Sequence, residues 1–304
     1  MHYERKRKMM DRFYILNTTE LFDNRSVDTG FYSGVMCFDI KGNEKLKLLE
    51  EPCYINAFVY LLVLSGSVEV EINHRSQCLA PKTLLLLTAV HLFRVVECSN
   101  DFSATMLLVD SDFPKNTDTP KMLYKRMTYG FKMFNNPTLI LSANDFEVLN
   151  GRMQILLRHI SYTTHLFYND LVLNSLEGMY LDLSNIIENS DNVIPHSLHR
   201  DDVINSFVQL LVENYKTEHH VDFYAKKLGF SSHYLTKIVK QHTGQTAADF
   251  IYDMLYSEAR RLLRQSKLSI QQISEVLNFS DQSAFGKFFK RNSGMSPFDY
   301  RKGQ

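Results

Sequence analysis

The chain lacks the features that would place it in a membrane, outside the cell or around a metal ion. Its longest apolar runs, such as Ala57 to Leu64 and Leu84 to Leu87, are far shorter than the roughly 20 residues a spanning helix needs, so no membrane helix is expected. The amino terminus, MHYERKRKMM, is basic but leads into Asp11-Arg12-Phe13 rather than an apolar stretch. No secretory signal is read there, a cytoplasmic location is expected, and the run Arg5-Lys6-Arg7-Lys8 reads as a solvated end. The cysteines, Cys37, Cys53, Cys78 and Cys98, are widely spaced, with no Cys-x-x-Cys pair and no clustered histidine. They read as reduced core thiols rather than zinc ligands or disulfides.

Net charge is also lacking: 34 basic side chains balance 34 acidic ones. The balance is uneven along the chain. Between Lys226 and Arg291 there are eleven basic residues against five acidic ones, a net of +6, which leaves −6 for the remainder. A basic segment carried by an acidic partner is the asymmetry expected when one part of a protein meets phosphate and another does not.

A length of 304 residues, 44% hydrophobic and 22% charged, predicts a soluble protein of two domains, each with its own core. From about Phe31 to Val109 short runs rich in β-branched and aromatic residues read as strands, with turns at Gly42-Asn43, Ser65-Gly66, Asn73-His74 and Ala80-Pro81. Regular spacing of short strands implies a β-sandwich or barrel. After Pro114 the pattern turns helical. Phe146, Leu149, Met153, Leu156, Leu157 and Ile160 recur at helical spacing over Asp145 to Thr163, with Ser142 or Asn144 as the cap, and Leu173, Leu176, Tyr180, Leu183 and Ile187 do so over Leu171 to Ile187. Their apolar stripes, with Leu156 and Leu176 central, exceed what one barrel face needs and predict pairing with a second subunit. The polar, proline-containing stretch Glu188 to Arg200 reads as a linker.

The remainder is helical and internally repeated. Val221 to Ser231 aligns on Ile270 to Ser280 at a shift of 49, and the shift becomes 50 beyond that turn, pairing Lys237 with Lys287 and Gly244 with Gly294. Each repeat reads as a short apolar helix, a tight turn and a second helix of basic and aromatic character, which is the helix-turn-helix plan. In the first, Gly229 ends the supporting helix, Ser231 caps the recognition helix, Leu235, Ile238 and Val239 face inward, and Ser232, His233, Thr236, Lys237 and Lys240 face outward. In the second, Ile270, Ile273, Val276 and Leu277 form the buried stripe, and Phe285, Phe288 and Phe289 anchor a recognition helix from Asp281 to Asn292. Gln282, Ser283, Gly286 and Lys287 are left exposed, followed by Lys290 and Arg291. A connector from Ala247 to Gln265, roughly 30 Å long, nearly matches the ~34 Å between successive major grooves on one side of DNA.

Leu228-Gly229-Phe230-Ser231, Tyr234-Leu235, Lys237, Gly244, Arg260-Arg261-Leu262-Leu263, Ile270, Ile273, Phe279, Phe285, Phe288-Phe289-Lys290, Gly294 and Ser296 to Arg301 stand in order over the last ninety or so residues. They resemble the signature of AraC/XylS transcription regulators. The resemblance implies binding to double-stranded promoter DNA and activation through RNA polymerase. It carries base contacts onto His233, Thr236 and Lys237 in one helix and Gln282, Ser283 and Lys287 in the other. The chain departs at Asn278, where the family most often has glycine. Asparagine also tolerates the left-handed conformation, so the turn should survive.

The expected fold class is α+β: over residues 1–140 a β-barrel that, in its order of elements and its run from Ala80-Pro81-Lys82-Thr83-Leu84 through His91, resembles a cupin-like β-barrel, then a helical pair and linker over 141–194 serving homodimerisation, and an all-α DNA-binding domain with two helix-turn-helix units over 195–304. The barrel resembles, more loosely, the sensor domain of such regulators, and that resemblance implies a small-molecule effector. Tyr54, Phe58, Tyr60, His91 and Arg94 are the candidates to line its pocket. No His-x-His pair is present, Glu69 and Glu71 read as an exposed strand face with His74 beyond them, and no cofactor, metal or catalytic residue is expected. Two alternatives stand beside this reading: a metal-dependent cupin enzyme with a helical appendage, and a regulator whose barrel mediates only protein contacts.

Overall fold

A computed structural model describes residues 9–10, 13–16, 30–32, 34–42, 46, 49–110, 113, 133, 136–190 and 200–302. The chain divides into two compact units whose described parts lie within 9–190 and 200–302. The basic run at residues 5–8, most of the segment after Pro114 and the linker around Pro195 fall outside the described residues.

The N-terminal unit contains strands β1 (Met9–Met10), β2 (Phe13–Leu16), β3 (Gly30–Tyr32), β4 (Val35–Lys41), β5 (Cys53–Ile55), β6 (Ala57–Ser65), β7 (Val68–Ile72), β8 (Arg75–Leu79), β9 (Thr83–Leu87), β10 (Leu92–Cys98), β11 (Ser103–Asp110) and β12 (Thr138–Ile140). They form two sheets, ordered β1-β2-β5-β10-β7-β8 and β12-β9-β6-β11-β4-β3. All pairings are antiparallel except β2 with β5. Both sheets contribute to one apolar core, Val70, Ile72, Phe93 and Val95 from the first and Phe38, Leu61, Leu85 and Met106 from the second. Among the described residues this is a double-sheet sandwich, and no hydrogen-bonded pairing closes the sheets into a barrel.

The two sheets differ in how they are covered, and their sequences show it. In β7, Val68, Val70 and Ile72 are buried while Glu69 and Glu71 point the other way; Glu69 is exposed as expected, and Glu71 is half-buried in its pair with Arg94. β6 and β11 are apolar at almost every position because the second sheet is buried on both faces. Its outer face carries helix α1 (Ala143–Ser161), which packs on β3, β4 and β11 and pairs with α2 (Tyr168–Asn189). Ser142 caps α1 through the Asp145 amide. Gln154 of α1 donates to Asp39 and Thr105 of the sheet at 3.2 Å each, a polar fastening inside an otherwise apolar seam.

Turns fall where glycine and asparagine predict them. Gly66 has φ +64°, and a Cβ there would lie 2.7 Å from the backbone of Phe102, so no other residue fits without movement. Asn73 and His74 both have positive φ and close the β7–β8 hairpin. β12 lies where the pattern was read as helical, because three residues are too few to show a period. Of the cysteines, Cys37 and Cys53 are core thiols, and burial followed by the nearby Asp39 charge pushes the Cys37 pKa up to about 12. Cys78 is exposed on edge strand β8, contrary to expectation. All four are free. Leu156 and Leu176 are also corrected: both are buried within the unit, and the apolar side chains that the helical pair exposes are Val148, Ile155, Tyr162, Leu166, Phe167 and Leu181.

The C-terminal unit contains α3 (Arg200–Asn214), α4 (Val221–Lys227), α5 (Ser232–Thr243), α6 (Ala247–Gln265), α7 (Ile270–Val276), α8 (Gln282–Ser293) and α9 (Pro297–Lys302). Connector α6 has the predicted bounds and opens on a capping box between Thr246 and Asp249. Its first half packs with α3 to α5, its second half with α7 to α9, so one helix serves two cores.

Candidate nucleic-acid interface

The first repeat is α4, a turn and α5. Gly229 sits at φ +76°, and Ser231 caps α5 by accepting from the Tyr234 amide. Leu235, Ile238 and Val239 are buried against Tyr224 and Ala225 of α4. That packing leaves His233, Lys237 and Lys240 exposed and Thr236 half-buried on one strip of the helix. Ser232 lies at the first turn, half-buried, and its hydroxyl donates to the carboxylate of Asp222 on α4. That contact fastens α5 to α4 at the start of the recognition helix.

The second repeat is α7, a turn and α8. Asn278 adopts φ +51°, as the sequence reading required, and Asp281 caps α8 by accepting from the Ala284 amide at 2.7 Å. That hydrogen bond, with help from Ser280, the Ser283 amide and the Lys287 charge, holds the Asp281 carboxyl below its ordinary pKa. Phe285 and Phe289 are fully buried, while Gln282, Ser283, Lys287, Lys290 and Arg291 are exposed and Gly286 is half-exposed. Val276 is 45% exposed instead of buried, because α7 ends there and only Ile273 and Leu277 turn fully into the core.

The basic footprint is smaller than the charge count implied. Arg260 is buried with its guanidinium 5.1 Å from the Tyr256 ring centre, and Arg261 grips Glu258 through both carboxylate oxygens at 2.7 and 2.8 Å. Arg264 lies over the Tyr300 ring. Of these three, Arg260 belongs to the interior of the unit, Arg261 is half-buried and committed to Glu258, and Arg264 stays exposed. The outward charge on the two recognition helices comes from Lys237 and Lys240 on α5 and from Lys287, Lys290 and Arg291 on α8, with Lys226, Lys227, Arg264 and Lys267 exposed elsewhere on the unit.

Residues 224–303 match the helix-turn-helix domain family. The C-terminal unit is an AraC-type DNA-binding domain. Over 99 residues it is 35% identical to the Msm operon regulatory protein of Streptococcus mutans, covering 33% of this chain and 36% of that protein. The raffinose operon transcriptional regulatory protein RafR of Pediococcus pentosaceus is 28% identical over 161 residues, 51% of this chain and 57% of that protein. The HTH-type transcriptional activator RhaS of Escherichia coli is 24% identical over 191 residues, 55% of this chain and 68% of that protein. The matches to the first two thus span about a third and just over half of those relatives' lengths.

One exposed residue of α5 lies outside the candidate set read from the sequence. Tyr234 is 40% exposed beside Lys237 and stacks on Phe230 with ring centres 4.9 Å apart. The signal that finds it is its spacing of three from Lys237. The N-terminal candidates are not brought together. Tyr54 alternates with buried Cys53 and Ile55, and Arg94 with buried Phe93 and Val95, so both point out of the first sheet. Arg94 donates to Glu71 at 2.6 and 3.0 Å, which with His74 holds that carboxylate's pKa low. Phe58 and Tyr60 point from the second sheet toward the helices, where the Tyr60 ring meets Tyr180 at 5.9 Å. His91 is buried in a turn, where its Nδ1 accepts from the Thr88 amide. Strand parity therefore excludes a single pocket formed by all five inside the sandwich. Among the described residues no group of three or more His, Cys, Asp or Glu is placed to hold a metal ion, and no helix is long and apolar enough to cross a membrane.

Proposed function

We propose that this chain is a cytoplasmic transcription regulator that binds double-stranded promoter DNA through both repeats and activates transcription by engaging RNA polymerase. The observation that carries the reading is the pair of capped helices, α5 and α8, each buried along one side by its own core and bearing uncommitted donors along the other. Residues near the start of a recognition helix meet base edges. His233, Thr236 and Lys237, and Gln282 and Ser283, occupy that part, while Lys287, one turn on from Ser283, is assigned to a phosphate. Lys240, Lys290 and Arg291 lie in the last turns and suit phosphates. The N-terminal unit is proposed as the regulatory module, responding to a small molecule. Phe58 and Tyr60, on the sheet face that meets α2, are the two earlier candidates that share a surface. Homodimerisation would use the exposed Val148, Ile155 and Leu181 of the helical pair.

Genome-wide footprinting with the full chain tests the DNA reading. Discrete protected sites upstream of genes, lost steeply as salt is raised, are expected. Uniform weak binding with no preferred sites sinks it. Native mass spectrometry of the purified protein tests the other two parts: a bound small molecule and a dimer mass support them, and a ligand-free monomer at all concentrations removes them.

A further inference from the structure

The two repeats touch each other through more than the shared connector. The loop between α3 and α4, residues 215–220, belongs to the first repeat: Tyr215 is buried in its core, and the Tyr224 hydroxyl donates to the Glu218 carbonyl at 2.8 Å. Three neighbours in that loop reach the other half of the unit. Lys216 bonds Glu258 at 2.8 Å, where Glu258 is buried and already gripped by Arg261. The Thr217 carbonyl accepts from the side-chain amide of Asn278 at 2.7 Å, a contact between residues 61 positions apart. The His219 ring meets the Phe279 ring with centres 5.0 Å apart. Phe279 in turn packs on Phe285 and Phe288 of α8, at 5.4 and 5.1 Å. An unbroken path of contacts thus runs from α5 through α4 and this loop to Asn278, Phe279 and α8.

We propose that Asn278 is a positioning residue, which with the Lys216–Glu258 pair clamps the two repeats into one fixed reading frame, so that the protein accepts a single spacing between its two half-sites. Glycine would supply the left-handed turn equally well. What the asparagine adds is a donor aimed at the other repeat. One inserted base pair moves the second half-site by about 3.4 Å and turns it by about 34°. A clamped pair of helices cannot follow that displacement without breaking a contact, whereas repeats joined by α6 alone could bend toward it.

The inference rests on the proposed DNA reading, and its test separates the two. Full-length wild type and Asn278→Gly are titrated with a footprinted site, and with the same site carrying one base pair more or less between its halves. Wild type should bind the altered spacings about tenfold more weakly or worse. For Asn278→Gly, which keeps the turn, the native site should weaken modestly and the spacing penalty should shrink to within about twofold. An unchanged penalty in Asn278→Gly overturns the clamp. Hydrogen exchange without DNA gives an independent readout. Faster exchange at 216–220 and 277–280 in Asn278→Gly, with the helices of both cores unaffected, supports the clamp, and unchanged exchange there overturns it. Failure of wild type to select any site would sink the DNA reading alone, because the exchange result would stand.

Discussion

The first helix-turn-helix repeat turns at Gly229 and the second at Asn278. The first caps its recognition helix with a serine hydroxyl and the second with an aspartate. The first recognition helix buries aliphatic side chains, Leu235, Ile238 and Val239, and the second buries two phenylalanines, Phe285 and Phe289. The backbone path nevertheless matches: both recognition helices span twelve residues and end on a glycine near φ +77°, Gly244 and Gly294. The geometry asks only for a residue that tolerates positive φ, an acceptor at the N-cap and a given apolar volume, and more than one side chain satisfies each demand. The outward strips answer to a different requirement. His233, Thr236 and Lys237 against Gln282 and Ser283 are different donor sets, so the two halves of the bound site should differ in sequence.

The largest effect is expected where the comparison is most one-sided. Phe289 is fully buried among Phe285, Tyr256 and Tyr300, so Phe289→Ala should cost about 3–5 kcal/mol, read from chemical denaturation. Loss in the second repeat should precede loss in the first, and a single unchanged transition would show the two cores to be one cooperative body. Next are the equivalent lysines. With His233 and Thr236 behind it on the same strip, Lys237 is assigned to base reading. Its alanine variant should lose about 1–3 kcal/mol of binding and relax preference at one position. Lys287, beside Ser283 and Gly286, is assigned to phosphate. Lys287→Ala should weaken all sequences alike and lower the salt slope by about one. Site selection from a random DNA pool decides both, and reversed outcomes would exchange the roles.

Smaller effects probe the turns. Nothing lies near the place a Cβ would take at Gly229, so Gly229→Ala should cost only the backbone strain of a left-handed residue, about 1–2 kcal/mol. Gly229→Asn should cost less, and equal losses for the two in thermal melts would refute the equivalence of the turns. The smallest effect concerns pH. Burial is the main reason His219 has a pKa below its ordinary 6.5, offset in part by the carbonyls of Lys216 and Leu277 and by Glu218, and reinforced by His220. The unfolded chain therefore takes up that proton first as pH falls. The stability this confers is complete above pH 6.5 and is lost as pH drops through the lower folded-state value. His219→Gln should flatten this part of the melting temperature profile between pH 7.5 and 5, and an unchanged profile would show that His219 does not contribute.

Much of the C-terminal unit was legible because its signals are local. A cap, a left-handed turn and an apolar stripe each occupy a few consecutive residues, so Ser231, Gly229, Asn278 and the bounds of α6 could be read directly. Val276 was misread because a helical stripe does not show on which residue the helix stops being covered. Arg260 and Arg261 differ from their sequence reading for the opposite reason: charge counting assigns them to the surface, and only the placement of Tyr256 and Glu258 shows Arg260 buried against a ring and Arg261 committed to a carboxylate. Leu156 and Leu176 were correctly seen to need a cover, but periodicity does not distinguish a sheet of the same chain from a second subunit.

The sequence by itself determined the repeat, its turns, its caps and the apolar faces of its helices, since each follows from backbone preferences and periodicity acting over one or two turns of chain. It also marked the two kinds of strand, alternating in β7 and continuous in β6. Tertiary structure alone decided which face of each strand met what. It turned Tyr54 and Arg94 outward, set Phe58 and Tyr60 toward the helices, and brought Asn278 to Thr217 across 61 residues. Strand alternation fixes which side chains share a face but not which partner covers it, and a hydrogen bond between distant residues leaves no periodic trace in either segment.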